Sequence, residues 1–177
     1  MSASTTYELR KRLVEIARND VGQVETSRNQ APFIKQYWPA TSYPEGYKNR
    51  EPYCAAAVCR WVQLWLRDPA VLAALGRTPA QAEKWRCKSA RAFDWRDWGK
   101  KNGLLVFDDN PKNVIHTGDL MIFDFSHIGI VDTDDTKRRI VKTVEANTNA
   151  GGSRDGDGCW AKERALSLAQ CFVRLLP

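Results

Sequence analysis

The hydrophobic pattern of this chain changes period once, at Gly103. Before it, apolar residues recur at helical spacing or in a run too long for a strand; after it, short strand-like runs are separated by polar turns. Helices first and strands afterwards predict an α+β fold, with N-terminal helices packed on a C-terminal antiparallel β-sheet. At 177 residues the chain is long enough for a real core and reads as one domain, 1–177, with a helical part at about 6–103 and a sheet part at about 114–176.

Leu9, Leu13, Ile16 and Ala17 predict a helix over 6–21, with Gly22 as its C-cap. Gln23 to Gln30 is polar loop, Pro32 opens a short helical segment ending at Trp38, and 39–50 reads as a further loop. Pro52 is then a start signal for the most apolar element of the chain, Cys54 to Leu66, which contains no Gly or Pro. Being apolar almost all round, it suits a helix buried on most faces, ended by Asp68-Pro69. Residues 70–103 are helical in pieces broken at Gly76 and Pro79, with Ala90, Phe93, Trp95 and Trp98 as core contacts. Asp119–Phe123, His127–Val131 and Arg139–Glu145 read as strands. Asn149 to Gly158, with four Gly and two Asp, reads as a mobile loop, and Cys159–Ala165 and Cys171–Leu175 as two closing strands.

Composition narrows the function. The net charge is +6, but Lys and Arg are scattered, and the densest run, Lys137-Arg138-Arg139, reads as a solvated turn, so no nucleic-acid binding is expected. The polar N-terminus and the lack of a long apolar run predict synthesis in the cytoplasm without a signal peptide and no membrane insertion. Five Cys without a CxxC pair imply neither a zinc site nor a disulfide framework, and Cys54 and Cys59 lie too far apart on one helix to bridge. Most of the seven Trp read as core, with a groove for sugar or peptide as the other use.

Cys54 falls in the first turn of its helix, where unpaired N–H groups and the positive end of the helix dipole favour an anion, and the thiolate is the nucleophilic form of cysteine. Such a cysteine needs a base, and the chain has two histidines. His127 begins one strand and Glu145 ends the next, so in an antiparallel hairpin they come close and one orients the other. Cys54 at the head of a helix packed on that sheet edge completes a nucleophile, base and acceptor. The plain structural readings are a small buried hydrophobe for Cys54 and a strand cap for His127; Cys59 packs in the core, His116 is a loop residue, Asp119 pins a turn, and Glu25 and Asn29 tie the loop beneath Cys54.

These residues resemble a known family. Glu51-Pro52-Tyr53-Cys54-Ala55-Ala56-Ala57-Val58-Cys59-Arg60-Trp61-Val62 is similar to the nucleophile motif of CHAP amidases, relatives of NlpC/P60 in the papain-like superfamily. Thr117-Gly118-Asp119-Leu120-Met121-Ile122-Phe123 followed by Ser126-His127-Ile128-Gly129-Ile130-Val131 resembles their Gly-Asp strand and His-hydrophobic-Gly segment. Val144-Glu145-Ala146-Asn147-Thr148-Asn149 resembles their Glu-Gly-Asn-Thr segment, and Val21-Gly22 through Glu25 to Asn29 the stretch before the nucleophile. The likeness runs in the family's order from about Val21 to Arg174. Tyr53 stands where Trp is common and Ala146 where Gly is common, and the acidic calcium loop of some members is missing, since 43–50 holds only Glu45.

The resemblance implies a papain-like fold, Cys54 as nucleophile, His127 as general base and then acid, and Glu145 or Asn147 as the residue that orients His127. With the calcium loop missing, no metal is expected, and no cofactor. The expected activity is cleavage of a peptidoglycan amide, either between muramic acid and L-Ala or within the peptide. A phage lysin, an injected effector with its delivery machinery and immunity protein, and a housekeeping enzyme all fit, acting on the wall after release. The rivals are a papain-like protease or deamidase acting on proteins, and an inactive wall-binding relative.

Overall fold

The structure, a computed structural model, describes residues 2–107, 114–135, 139–153 and 155–176. Six α-helices come first: α1 Ala3–Arg18, α2 Pro32–Lys35, α3 Cys54–Trp65, α4 Pro69–Leu75, α5 Pro79–Trp85 and α6 Ala92–Lys101. Six strands follow: β1 Leu105–Val106, β2 Leu120–Phe123, β3 Ile128–Asp135, β4 Ile140–Thr148, β5 Gly158–Ala165 and β6 Ala169–Val173. They form one antiparallel sheet in the order β1-β6-β2-β3-β4-β5. The fold is α+β. Among the described residues no helix is long and apolar enough to cross a membrane.

Local chemistry sets the helix ends. Ser2 caps α1 by accepting the Thr5 N–H at 3.2 Å, and α1 buries Leu9, Leu13, Val14 and Ala17 on one face. It ends at Arg18, four residues before the expected cap. Gly22 instead has φ +88° and donates its N–H to the Cys159 carbonyl at 2.8 Å, fastening the turn after α1 to β5. Asp68-Pro69 starts a helix as well as following one: the Asp68 carboxylate accepts the Ala70 N–H and Pro69 takes the first position of α4. Pro79 likewise opens α5, behind a Thr78/Gln81 capping box.

Helix α3 is the axis of the core, buried along Cys54–Cys59, Trp61, Val62 and Trp65. The indole N–H groups that would be orphaned by this burial find partners: Trp65 donates to the Leu9 carbonyl at 2.8 Å and Trp61 to Asp20 at 2.7 Å. Two apolar clusters sandwich the sheet. Val144 and Ala146 belong to the helical one, and Val141, Phe123 and Phe172 to the other.

Four expectations about the sheet change. The two-residue β1 falls before 114 and was too short to leave a pattern. β4 runs past Glu145 to Thr148, because Ala146 and Thr148 go on pairing with Cys159 and Gly158 of β5. Helix α3 packs on β3 and β4, interior strands rather than the sheet edge. The Gly-rich segment expected to be mobile is tied down: Thr148 Oγ1 donates to the Ser153 carbonyl at 2.6 Å and Lys162 to the Asn149 carbonyl at 3.2 Å. Lys137 and Arg138 of the basic turn lie outside the described residues; Arg139 is exposed, with φ +53°.

Candidate functional site

The strap leading to Cys54 is held from several sides. Glu25 accepts the Asn29 N–H at 2.6 Å and Asn29 donates to the Arg50 carbonyl at 2.7 Å, so this pair ties the loop beneath the helix. Tyr53, fully buried, stacks on Tyr37 at 6.2 Å and meets Phe33 edge-on. Tyr37 in turn donates to Asp20 at 2.7 Å, the carboxylate that also holds Trp61. Burial first, and then Cys159 and Asp20, raise the Tyr37 phenol far above its ordinary range. Nothing in the sequence motifs pointed to Asp20. Its signal was only its place just beyond a helix end, opposite the aromatics of 33–37.

Cys54 is the first residue of α3, and Tyr53 before it supplies no side-chain cap. The first N–H groups of α3 therefore stay open for an acceptor beside the sulfur. Cys54 is 6% exposed and opens into a cleft of about 350 Å³. Ser126, next to His127, lines the same cleft, with φ +58° in the β2–β3 turn. The other four cysteines are free and buried, and burial raises all four thiols, Cys87 and Cys171 to about 11.

His127 and Glu145 come together. Gly129 lies opposite Glu145, so His127, two residues earlier and just before β3, is diagonal to Glu145 on the same side of the sheet. His127 Nε2 lies 3.0 Å from Glu145 Oε2, and both side chains have 0% exposure. Gly129 makes the room: a Cβ there would sit 2.6 Å from the Glu145 Cγ. His127 Nδ1 is buried and has no hydrogen-bond partner. Desolvation opposes a charged ring, yet Cys54 and then Glu145 outweigh it and lift His127 to about 9. Phe125 stacks on the ring at 6.0 Å and Phe123 lies at 5.3 Å, shielding it from water.

Arg164 and Thr143 also hold Glu145, and neither was singled out from the sequence. Arg164 donates through Nε to Oε1 at 2.8 Å and through Nη2 to Oε2 at 2.5 Å, while Thr143 donates to Oε1 at 2.5 Å. Burial alone would raise the carboxyl; Arg164, His127 and Thr143 overcome it and hold Glu145 at about 2. The third arm of Arg164, Nη1, donates to the Gly152 carbonyl at 3.0 Å. Gly152 has φ +85°, and a Cβ there would approach Nη1 to 2.6 Å. Strand alternation was the available signal, since Thr143 is two residues from Glu145 and Arg164 lies opposite Val141 on that face.

Asn147, 1% exposed, occupies a bulge of β4 with φ +59°, and its carbonyl accepts the Gly156 N–H at 3.2 Å. Of the two candidate orienting residues, Glu145 is the one bonded to Nε2. Asp119 pins a turn, accepting the His116 N–H at 2.8 Å and two bonds from Arg174. Among the described residues no group of three or more His, Cys, Asp or Glu converges as a metal site. Comparison with known families, curated proteins and solved structures finds no match for this chain.

Proposed function

We propose that the protein is a papain-like thiol amidase that hydrolyses an amide bond of peptidoglycan. One observation carries the reading: a histidine with one nitrogen on a buried, arginine-held carboxylate and the other unpartnered, electrostatically coupled to a thiol that opens into a cleft. An imidazole held in this way has a fixed tautomer and one free nitrogen for proton transfer.

In this reading the Cys54 thiolate attacks the amide carbonyl and forms a C–S bond. The oxyanion is received by the Cys54 N–H and a neighbouring donor at the head of α3. His127 Nδ1 gives its proton to the nitrogen of the breaking C–N bond, and the amine leaves. The now neutral ring takes a proton from water, whose oxygen attacks the thioester; collapse releases the acid and restores the thiolate with a protonated His127. Glu145 stays ionised throughout and orients the ring, as a carboxylate held at about 2 does at any working pH.

The peptidoglycan assignment rests on the family resemblance of the three motifs, and the net charge of +6 accords with an anionic wall polymer. The partners under this reading are the wall itself and, for an injected effector, its delivery machinery and an immunity protein. The test is mass spectrometry of fragments released from purified sacculi by wild type and by Cys54→Ala, with an ordinary protein substrate digested alongside. Wild-type release of new amine termini that Cys54→Ala lacks is the expected result; cleavage of the protein alone points to a protease or deamidase, and no release from either points to a binding protein.

A further inference from the structure

The turn after β4 reaches the site through one side chain. Ala150, Gly151 and Ser153 face solvent, yet the Gly152 carbonyl among them accepts Nη1 of Arg164 at 3.0 Å. The turn is closed on itself: the Asn149 carbonyl accepts the Gly152 N–H at 2.9 Å, and the Asn149 side chain accepts the Ser153 N–H at 3.1 Å. Thr148 braces it from β4, donating to the Ser153 carbonyl at 2.6 Å and accepting Nη2 of Arg164 at 3.5 Å. Nε and Nη2 of the same guanidinium hold Glu145, and its carbon lies 5.3 Å from the centre of the Phe123 ring.

Gly152 stands where a side chain would disturb this arrangement. Its φ of +85° is one that glycine adopts at least cost, and a Cβ there would stand 2.6 Å from Nη1 and 3.4 Å from the guanidinium carbon. A long side chain ordinarily swings away from such a contact. Arg164 is 8% exposed and has Nε and Nη2 on Glu145, so a displacement at Nη1 passes to the carboxylate. We propose that Gly152 is a positioning residue of the site: its carbonyl fixes the angle of Arg164, which orients Glu145 and, through Glu145, His127. This role presupposes the amidase reading and extends its machinery to a turn at the surface. The titratable groups facing the Glu145–His127 pair are Cys54 of α3 and Cys159 and Arg164 of β5. Only Arg164 among these is a cation, so loosening it leaves His127 holding its proton more tightly.

The protein has two histidines, so an NMR titration of the ring carbons follows His127 directly. Gly152→Ala is expected to move the His127 titration to higher pH and to slow amine release from purified sacculi by about tenfold. Arg164→Lys keeps a cation beside Glu145 but lacks the fork that also reaches Gly152. In that background, adding Gly152→Ala should change neither readout, because the two residues act as one unit. Gly103→Ala controls for backbone strain: φ is +68° there, a Cβ would meet nothing within 4 Å, and both readouts should stay at wild type. An unmoved His127 in Gly152→Ala, or an equal loss from Gly152→Ala in both backgrounds, overturns the proposal. Where Arg164→Lys does not fold by circular dichroism, the titration of Gly152→Ala against wild type decides. Sacculi left intact by wild type would remove the amidase reading, and the same titration would still decide whether Gly152 positions the ring.

Discussion

Asp119 and Glu145 are both completely buried, and an arginine grips each through two N–H groups: Arg174 in the first case and Arg164 in the second. Both ion pairs have been taken out of water, and breaking either leaves a charge stranded. They differ in what fills the remaining lone pairs. Asp119 takes a backbone N–H, from His116, and so joins the end of the sheet to the turn before β2. Glu145 takes a hydroxyl and an imidazole, and the imidazole has a second, unpartnered nitrogen. A backbone amide holds position and does nothing else, whereas a ring with two nitrogens can move a proton. A buried Arg–carboxylate pair therefore marks a scaffold, and it becomes a candidate site only through its third neighbour.

The comparison breaks most sharply at the sulfur. Cys54→Ala should abolish amide release from sacculi, by about 10⁵-fold or to background, while the thermal midpoint changes little, since only a small side chain is trimmed. Next come the carboxylates. Glu145→Gln should lower kcat/KM by about 10³- to 10⁴-fold, as loss of an orienting carboxylate does elsewhere, and destabilise the fold by about 3 kcal/mol through the stranded Arg164. Asp119→Asn should destabilise by a similar amount and leave kcat/KM per folded molecule within about twofold. Denaturant melts and assays on the same preparations separate the two; equal losses of activity would dissolve the distinction between them.

A smaller effect distinguishes the thiols. Iodoacetamide near neutral pH should modify Cys54 about tenfold faster than Cys59, Cys87, Cys159 or Cys171, since burial raises the other four. Peptide mapping over time reads the rates, and uniform slow labelling would count against Cys54 as nucleophile. The smallest expected effect is on stability against pH. His127 rises from 6.5 to about 9 on folding, so its contribution is complete below 6.5 and is lost as pH climbs through 9. Glu145 falls from 4.5 to about 2, so its contribution is complete above 4.5 and is lost as pH drops through 2. The pair is fully stabilising between pH 4.5 and 6.5. Thermal midpoints of wild type should plateau there, and the alkaline decline should flatten in Glu145→Gln.

The helix-then-sheet order was legible because a change of hydrophobic period is a property of the chain itself. The approach of His127 to Glu145 was legible for the same reason: adjacent strands with a short turn pair antiparallel, and side-chain parity does the rest. Their diagonal register was not, because it depends on where the β2–β3 and β3–β4 turns place the strands. Arg164 carries no local signal, because it comes 19 residues after Glu145 and meets it only once β5 pairs with β4. In the sequence Gly129 is only part of a motif, and the space it leaves for the Glu145 side chain explains why a residue without a Cβ stands there. β1 and the reach of β4 beyond Glu145 were settled by partners, β6 and β5, that local pattern does not record.

The guanidinium of Arg164 also keeps the charge of the enclosed set in balance. In the amidase reading, a Cys54 thiolate and a protonated His127 make with Glu145 and Arg164 two negative and two positive groups, a neutral set. Attack would move one negative from the sulfur to the oxyanion, and collapse to the thioester would remove it only as the imidazolium passes its proton to the departing nitrogen. The arginine that steadies the resting protein would thus leave the buried cluster without net charge before and after the first product departs.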